Sequence, residues 1–314
     1  MRLVFMGTPS FALPSLRAIY GAGHSIVGVF TQPDRPAGRG KRVTASPIKI
    51  LAESLNLPVF QPVKIKTVET VDLLKKLKPE CIVVVAYGQI LSKEILELPY
   101  YGCVNLHASL LPAYRGAAPI HWAVLNGESK TGVTTMLMDE GLDTGDMLMT
   151  REYGISSSAN TGEVHDALAK MGAEVLLETI TGLEKGTVRS TPQPFEFTYA
   201  PLLKREHEKI DWSWSASIIH NRIRGLNPWP GAFSNFRGER VKIWQSKLSV
   251  RDSDQDRAQE SLPGEIVSLT EQGFKVQTGE GFLEITELQP AGKKKMSAFD
   301  FFNGRRIKIG EIFE

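Results

Sequence analysis

The chain has 314 residues, of which 42% are hydrophobic and 23% are charged, and its formal net charge is +2. This length predicts two domains, and the charge balance excludes a polycation that binds nucleic acid over its whole surface. The two cysteines are too few for a disulfide framework, and no apolar run reaches the ~18 residues of a membrane span, so we expect a cytoplasmic protein with no membrane partner.

The first half of the chain alternates short apolar runs with segments of helical periodicity. The run at 81–86, CIVVVA, is apolar without interruption, as expected for a parallel strand that is buried on both faces. This alternation predicts an α/β fold with a Rossmann-like, doubly wound, mostly parallel sheet. The predicted strands are 2–6, 25–31, 81–86, 102–107 and 133–138. One predicted helix follows the turn at 7–9 and ends at about residue 20, and three others span 47–55, 68–77 and 164–183.

The second half has a different pattern, which begins near residue 187. Residues 189–208 contain three prolines and few periodic apolar positions, so they are predicted to form a linker. These patterns predict one domain at 1–188 and, after the linker, a small OB-like β-barrel domain at 209–314. Its predicted elements are a helix at 216–224 and strands at 232–236, 241–250, 264–268, 274–278 and 282–289.

Polar side chains stand at the end of the predicted strand 102–107, which is the edge where an open α/β sheet binds ligands. Asn105 and His107 are two residues apart, so their side chains leave the same face of the strand. Asp143 lies in a glycine-containing loop after another strand and could face them across a crevice. The pattern alone fits either a catalytic set or ordinary strand-end and turn residues.

The run NLHASLLPAYRG at 105–116, with Asp143 further on, resembles the signature of the 10-formyltetrahydrofolate-dependent formyltransferases. The resemblance implies that Asn105, His107 and Asp143 are catalytic and that 10-formyltetrahydrofolate is the co-substrate. It implies that Asn105 and His107 donate hydrogen bonds to the formyl oxygen as it gains negative charge. For Asp143 two roles stay open, because it could orient His107 or take the amine proton through a water.

The same resemblance implies a folate pocket beside the catalytic set. The apolar side chains after His107 would suit a flat pterin ring. No cluster has the spacing of metal ligands, since the six histidines are scattered, so no metal is expected. The expected pocket residues are Ser109, Leu110, Leu111 and Pro112, with walls from Tyr87, Gly88, Gln89, Ile90, Gly141 and Leu142.

Three further segments are similar to the members of that family that act on methionyl-tRNA. They are MGTPSFA at 6–12, QPDRPAGRGK at 32–41 and NPWPGA at 227–232. The resemblance implies initiator methionyl-tRNA as the partner, a role in translation initiation and a second domain that binds tRNA, and we expect a monomer. Cations that could neutralise phosphates are Arg35, Arg39, Lys41 and Arg42 in one loop, and Lys204 and Arg205 near the linker.

Two alternatives of different kinds remain. A sugar-nucleotide amine formyltransferase would share the signature and the folate donor, but a small sugar acceptor needs no basic loop such as 34–42. A nucleotide-binding or RNA-binding module with an inactive α/β domain would have no need for Asn105, His107 and Asp143 together. A nicotinamide-dependent oxidoreductase is disfavoured, because GTPS at 7–10 is not a Gly-x-Gly-x-x-Gly turn.

Overall fold

The computed structural model describes residues 1–37, 42–249 and 261–314. These residues divide into two compact units, which interleave along the chain. The first unit comprises 1–119, 130–154 and 165–201, and the second comprises 120–129, 155–164 and 202–314. The continuous domains expected from the sequence, 1–188 and 209–314 with a linker at 189–208, stay a prediction.

The first unit contains a seven-stranded sheet in the order β5-β2-β1-β6-β7-β8-β9. The strands from β5 to β7 pair in parallel, and β8 and β9 are added antiparallel at one edge. The mostly parallel Rossmann-like sheet expected from the sequence is therefore confirmed. The bounds are β1 (Arg2–Gly7), β2 (Ser25–Phe30), β5 (Val59–Phe60), β6 (Cys81–Val85), β7 (Cys103–His107), β8 (Lys130–Leu137) and β9 (Met147–Gly154).

Helices cover this sheet because their apolar positions recur at helical spacing and pack on the buried strands. One core cluster joins Val4, Ile82 and Val84 of the sheet to Val71 and Leu74 of α3. Local signals fix where helices begin and end. The Ser46 hydroxyl accepts a hydrogen bond from the Lys49 amide at the start of α2. The bounds are α1 (Leu13–Gly21), α2 (Pro47–Ser54), α3 (Val68–Leu77), α4 (Lys93–Leu96), α5 (Pro119–Leu125) and α6 (Thr161–Glu184).

A short antiparallel hairpin, β3 (Arg35–Ala37) and β4 (Arg42–Thr44), follows β2. The Asp34 carboxylate anchors its base, since it accepts hydrogen bonds from Lys49 Nζ at 2.6 Å and Gln61 Nε2 at 2.7 Å. The hydrogen bond from Lys49 holds the pKa of Asp34 below its ordinary value. Hence a fixed ion pair precedes the basic segment.

The second unit is an antiparallel sheet in the order β10-β11-β14-β13-β12, with β15 paired to β14. Residues near the end of the chain join its two edges, because Phe313 bridges to Phe236 of β10 and Ile312 bridges to Glu265 beside β12. This closure fits the predicted small β-barrel. The bounds are α7 (Ala216–Gly225), β10 (Phe233–Phe236), β11 (Glu239–Ser249), β12 (Ile266–Leu269), β13 (Phe274–Gln277), β14 (Phe282–Pro290), β15 (Met296–Ser297) and α8 (Ala298–Gly304).

The core of the second unit also takes in residues from earlier in the chain. Leu125 packs against its apolar cluster. The buried Thr161 hydroxyl donates a hydrogen bond to the Gly225 carbonyl at 2.7 Å, and the Arg224 guanidinium donates to the Ala159 carbonyl at 3.0 Å. These contacts explain why 120–129 and 155–164 belong to this unit. Within the described ranges, no helix is long and apolar enough to cross a membrane.

Candidate active site

The site is built on the carboxyl end of β7, between β6 and β8. Asn105 and His107 lie two residues apart on this strand, so both side chains leave one face of the sheet. Both are buried, at 8% and 6% exposure. Polar groups so deep in a protein need partners or a ligand, and the partners of the two residues differ.

Both nitrogens of the His107 ring face acceptors from the protein. Nε2 lies 2.9 Å from the Tyr114 carbonyl oxygen, and because a carbonyl only accepts, Nε2 carries the hydrogen and donates it. Nδ1 faces the Asp143 carboxylate, with 3.7 Å between Nδ1 and Oδ2. Nδ1 is therefore the ring nitrogen that faces the carboxylate.

Asp143 is held in an unusual backbone conformation. Its φ of 54° lies in the left-handed region, which is costly for a residue with a Cβ atom. Its Oδ2 accepts the Gly116 backbone N–H at 2.8 Å. Gly116 itself has φ of 111°, and a Cβ there would come within 2.9 Å of the Ala200 carbonyl oxygen. The structure thus brings together Asp143, His107 and the turn at Gly116.

The Asn105 side chain has a different environment from His107. Within the part of the chain that the structure describes, its amide makes no hydrogen bond, although only 8% of the residue is exposed. Asn105 is not among the side chains whose polar atoms are fully buried without a partner, so its amide retains accessible surface. Asn105 is therefore the member of the predicted catalytic set that is open to a ligand.

The loop after β7 is fixed by its own polar groups. The Ser109 hydroxyl donates to the Ala113 carbonyl at 2.6 Å. The Thr134 hydroxyl donates to the Ser109 carbonyl at 2.8 Å and accepts the Leu111 N–H at 3.1 Å. Ser109 and Leu111 are buried, and Leu110 and Pro112 are half-buried. Of the four predicted folate-pocket residues in this loop, Leu110 and Pro112 have surface to offer.

The remaining predicted pocket residues differ in exposure. Tyr87 is buried in the core, where burial raises the pKa of its hydroxyl. Gln89 holds a neighbouring loop, because its amide accepts the Ile65 N–H at 2.7 Å and donates to the Pro62 carbonyl at 3.2 Å. The residues with open surface are Gly88, Ile90, Gly141 and Leu142.

Sequence reasoning missed the residues that brace the site from the predicted linker. Gln193 donates hydrogen bonds from Nε2 to the carbonyls of Asp143 and Gly145, both at 2.8 Å. The Thr198 hydroxyl accepts the Tyr114 N–H at 2.8 Å. These contacts span 48 to 84 residues along the chain, so the proline-containing stretch carries no local signal of them.

The predicted tRNA-binding cations lie in two places. Arg35 begins β3 and its Nη2 is 3.3 Å from Gln32 Oε1. Lys204 and Arg205 are exposed at a 3-10 turn of the second unit, where Lys204 Nζ is 3.6 Å from Glu206 Oε1. Arg42 begins β4, and Arg39 and Lys41 lie outside the described residues.

Among the residues that the structure describes, no group of three or more His, Cys, Asp or Glu side chains is placed to hold a metal ion. Both cysteines are buried, and burial raises the pKa of the Cys81 thiol to about 12 and that of Cys103 further. Such thiols are poor nucleophiles. Neither cysteine is placed with the polar residues at the end of β7.

Two solved structures have a fold similar to that of this chain. An N-formyltransferase from Helicobacter canadensis shares the fold, in a structure with folinic acid and dTDP-3-aminofucose. HypX from Aquifex aeolicus shares it too, in a structure with tetrahydrofolic acid. The first has 19% identity and a TM-score of 0.66 and covers 91% of this chain and 99% of that protein. The second has 18% identity and a TM-score of 0.64, and this chain spans 48% of that longer protein.

A curated relative is far more similar. The methionyl-tRNA formyltransferase of Pelotomaculum thermopropionicum is 51% identical over 312 residues, which cover 99% of this chain and 98% of the relative. Residues 1–180 match the family model described as formyl transferase, and 202–306 match the model described as formyl transferase, C-terminal domain. The chain belongs to the formyl transferase family.

Proposed function

We propose that this protein transfers a formyl group from 10-formyltetrahydrofolate to the α-amino group of initiator methionyl-tRNA, giving the formylmethionyl-tRNA that initiates translation. The proposal rests on one observation: the sequence is 51% identical, over 99% of this chain, to a relative named for this reaction. The open amide of Asn105 beside the His107–Asp143 pair supports the same chemistry. We further propose that the protein acts in the cytoplasm as a monomer.

Asn105 stabilises the charge that develops during transfer. When bound, 10-formyltetrahydrofolate supplies the formyl carbon, which the neutral α-amino group attacks. Unperturbed α-amino groups titrate near pH ~7.7–8.0, so a useful fraction is neutral at pH 7. The formyl oxygen gains negative charge as the new C–N bond forms, and Asn105 donates a hydrogen bond to it. Because its amide has no intramolecular partner within the described residues, this donation needs no rearrangement of the protein.

His107 and Asp143 carry the proton that moves from the attacking amine to the leaving nitrogen. The attacking amine loses a proton and the nitrogen that leaves on the folate gains one, so the transfer is balanced without any other reactant. Nδ1 of His107 is the nitrogen free to carry that proton, and Asp143 stands beside it. The predicted donation from His107 to the formyl oxygen stays a prediction, since Nε2 donates to the Tyr114 carbonyl in this structure.

The folate pocket is proposed to lie beside β7, with Ser109, Leu110, Leu111 and Pro112 on one side. Leu110 and Pro112 provide half-buried apolar surface for the pterin, while Ser109 and Leu111 hold the loop in place. The walls proposed from Gly88, Ile90, Gly141 and Leu142 have accessible surface. Tyr87 and Gln89 support them through packing and through hydrogen bonds to the 62–65 segment.

Basic residues are proposed to bind the tRNA backbone. Arg35 lies at the base of the β3–β4 hairpin and Arg42 begins its second strand. Arg39 and Lys41 lie between these two residues in the sequence, outside the described residues. Lys204 and Arg205 form a second cationic place in the second unit. Removal of a cation that neutralises a phosphate weakens tRNA binding whatever the base sequence, and it makes binding less dependent on salt.

The alternative acceptor, a sugar-nucleotide amine, has weaker support. Three sugar N-formyltransferases that resemble this chain share 17% to 20% identity with it, and a likeness at that level supports a common fold alone.

The deciding experiment offers both acceptors to the purified protein with 10-formyltetrahydrofolate. We expect rapid formation of formylmethionyl-tRNA and no formylation of a dTDP-amino sugar. An Arg35→Ala, Arg39→Ala, Lys41→Ala triple variant should need more tRNA and respond less to added salt. Formylation of the amino sugar alone would replace the tRNA proposal by the sugar alternative.

A further inference from the structure

We propose that Gln193 is a positioning residue of the formyl-transfer site, whose side chain fixes the backbone of Asp143 and thereby holds its carboxylate against His107. The inference deepens and rests on the function proposed above. It assigns a role in the reaction to a segment that its sequence marks only as a linker.

The Gln193 side chain uses all four of its hydrogen-bonding positions. Nε2 donates to the carbonyl oxygens of Asp143 and Gly145, both at 2.8 Å. Oε1 accepts from the Arg115 guanidinium, at 3.0 Å from Nε and 2.7 Å from Nη2. Carbonyls only accept and a guanidinium only donates, so a single orientation of the amide satisfies all four contacts. The side chain is thus committed to the protein and has no capacity left for substrate.

Asp143 is the place where such a brace is needed. A non-glycine residue with φ of 54° relaxes to a commoner conformation unless its surroundings hold it. The two hydrogen bonds from Gln193 fix the carbonyl of Asp143 itself and that of Gly145, two residues on. They lock the peptide planes on the carboxyl side of Asp143, while Gly116 N–H fixes its carboxylate.

Arg115 links this brace to the other side of His107. Its side chain is only 6% exposed, and its guanidinium lies 4.5 Å from the centre of the Phe197 ring. Its neighbours in sequence hold the site directly, since Tyr114 supplies the carbonyl for His107 Nε2 and Gly116 supplies the N–H for Asp143. The groups that face the two His107 nitrogens are therefore connected through the 114–116 backbone and the hydrogen bonds of Gln193 to Arg115 and Asp143.

The decisive substitution is Gln193→Glu. A glutamate has the same size and still accepts from Arg115, but it has no N–H to donate to the two carbonyls. We expect kcat for formylation to fall at least about tenfold, because a misplacement of about 1 Å at a catalytic group costs on the order of 10²-fold. KM for both substrates should stay within about twofold. Glu196→Gln, an exposed change in the same segment, is the matched control and should leave kcat unchanged.

Non-additivity separates positioning from a general structural effect. If Gln193 acts through Asp143, Gln193→Glu should change the rate less than about twofold in an Asp143→Asn background. A full tenfold loss in that background, or an unchanged kcat in the single variant, would overturn the proposal. Gln193→Met, which is uncharged and also lacks the donors, should reproduce the loss if Gln193→Glu fails to fold.

A spectroscopic readout tests the positioning role without the reaction. In protein labelled with 15N-histidine, we expect the Nδ1 resonance of His107 to move in the same direction in Gln193→Glu and Asp143→Asn, and to stay in place in Glu196→Gln. An unmoved resonance in Gln193→Glu would contradict the proposal even if activity fell. Absence of formylation by the wild type would instead refute the proposed function, and the resonance would still decide the role of Gln193.

Discussion

At the residue scale, the two polar side chains on β7, Asn105 and His107, have different hydrogen-bonding environments. His107 Nε2 donates to the Tyr114 carbonyl, and Nδ1 faces the Asp143 carboxylate at 3.7 Å. Asn105 has an amide that no group of the described residues engages. The His107 ring is thus held by the protein, whereas the Asn105 amide is available to a ligand. This difference leads to a test of the donor role of Asn105.

Asn105→Ala should lower kcat by about 10²–10³, the usual cost of removing one hydrogen-bond donor from a developing oxyanion. Methionyl-tRNA binding should change little, because the hydrogen bond strengthens only as charge develops. Steady-state formylation kinetics measure both quantities. Asn303→Ala, an exposed asparagine of α8, serves as the control. A kcat within threefold of wild type would remove Asn105 from the catalytic set.

A second histidine links stability to pH. His220 of α7 is held neutral, since Nδ1 accepts from the Ser246 hydroxyl at 3.0 Å and Nε2 donates to the Ser157 carbonyl at 3.2 Å. Burial lowers its pKa from the ordinary value of 6.5; the hydrogen bond to the Ser157 carbonyl opposes this in part, and Arg224 adds a smaller lowering. The unfolded chain therefore takes up a proton at a higher pH than the folded one, and protonation below pH 6.5 favours unfolding.

The free energy of unfolding should accordingly fall as pH decreases from 6.5 towards the lowered pKa of folded His220. For one proton the slope is at most about 1.4 kcal/mol per pH unit. His220→Gln should show a shallower fall over this window and an unchanged slope above pH 7. Urea unfolding between pH 5 and 8 measures the difference. Parallel curves for the two proteins would rule out His220 as the source.

The residues of the site were predictable to different degrees. Asn105, His107 and Asp143 stand next to strand ends in the sequence, and their pattern also resembles that of a known family. Gln193 is 50 residues from Asp143 and 78 from Arg115. Its contacts depend on where a non-repetitive segment folds back, which hydrophobic periodicity does not encode.

At the element scale, the loop between β8 and β9 determines where Asp143 stands. Asp139 holds one side of this loop, because its carboxylate accepts from the Gly141 N–H at 3.0 Å and the Thr144 hydroxyl at 2.7 Å. Gly145 lies against the backbone on the other side, where an added Cβ would overlap the Leu137 carbonyl oxygen. The loop can adopt this path only with glycine at 145.

Gly145→Ala should therefore displace the loop and with it the carboxylate that faces His107. We expect kcat to fall on the order of 10²-fold, because the Asp143 carboxylate moves out of its position beside the His107 ring. Gly154→Ala is the matched control, since a Cβ at this residue of β9 meets nothing within 4 Å. Formylation rates of the two variants decide the matter. Equal rates would show that the loop tolerates the shift.

Most of the buried elements were predicted from sequence, and the exposed ones were missed. The helix predicted at 68–77 is α3, and the strand predicted at 81–86 is β6. In contrast, β9 has the sequence MLMTREYG and only intermediate or exposed residues, so no apolar run marks it. As an antiparallel edge strand it depends on its pairing with β8, which local sequence does not show.

At the scale of the whole molecule, the second unit is a composite. Its sheet closes through Phe313 and Ile312, and its core takes in Leu125 from a stretch that precedes most of the unit by some 80 residues. The sequence predicted the late strands but not these early contributions. Their apolar residues are periodic like any others, and nothing local says which core they join.

An isolated fragment of residues 202–314 should therefore fold poorly. It lacks Leu125, which packs against its core, the Thr161 hydroxyl that donates to the Gly225 carbonyl, and the Ala159 carbonyl that accepts from Arg224. The fragment would therefore expose apolar surface that the full chain covers, and it would lose two hydrogen bonds. Thermal unfolding followed by circular dichroism should show a broad or absent transition, against a sharp one for the full chain. A cooperative fragment transition near that of the full chain would refute this.

The interleaving of the two units constrains how this sequence can recombine with its relatives. A single crossover near residue 201 would join a foreign second unit to the resident stretches 120–129 and 155–164. The resident Leu125 would then face a foreign counterpart of Gly225, where an added Cβ already comes within 2.8 Å of the leucine side chain. A chimera that exchanges all three stretches keeps that contact matched. We therefore expect chimeras that exchange all three stretches of the second unit to fold more readily than chimeras with a single crossover near residue 201.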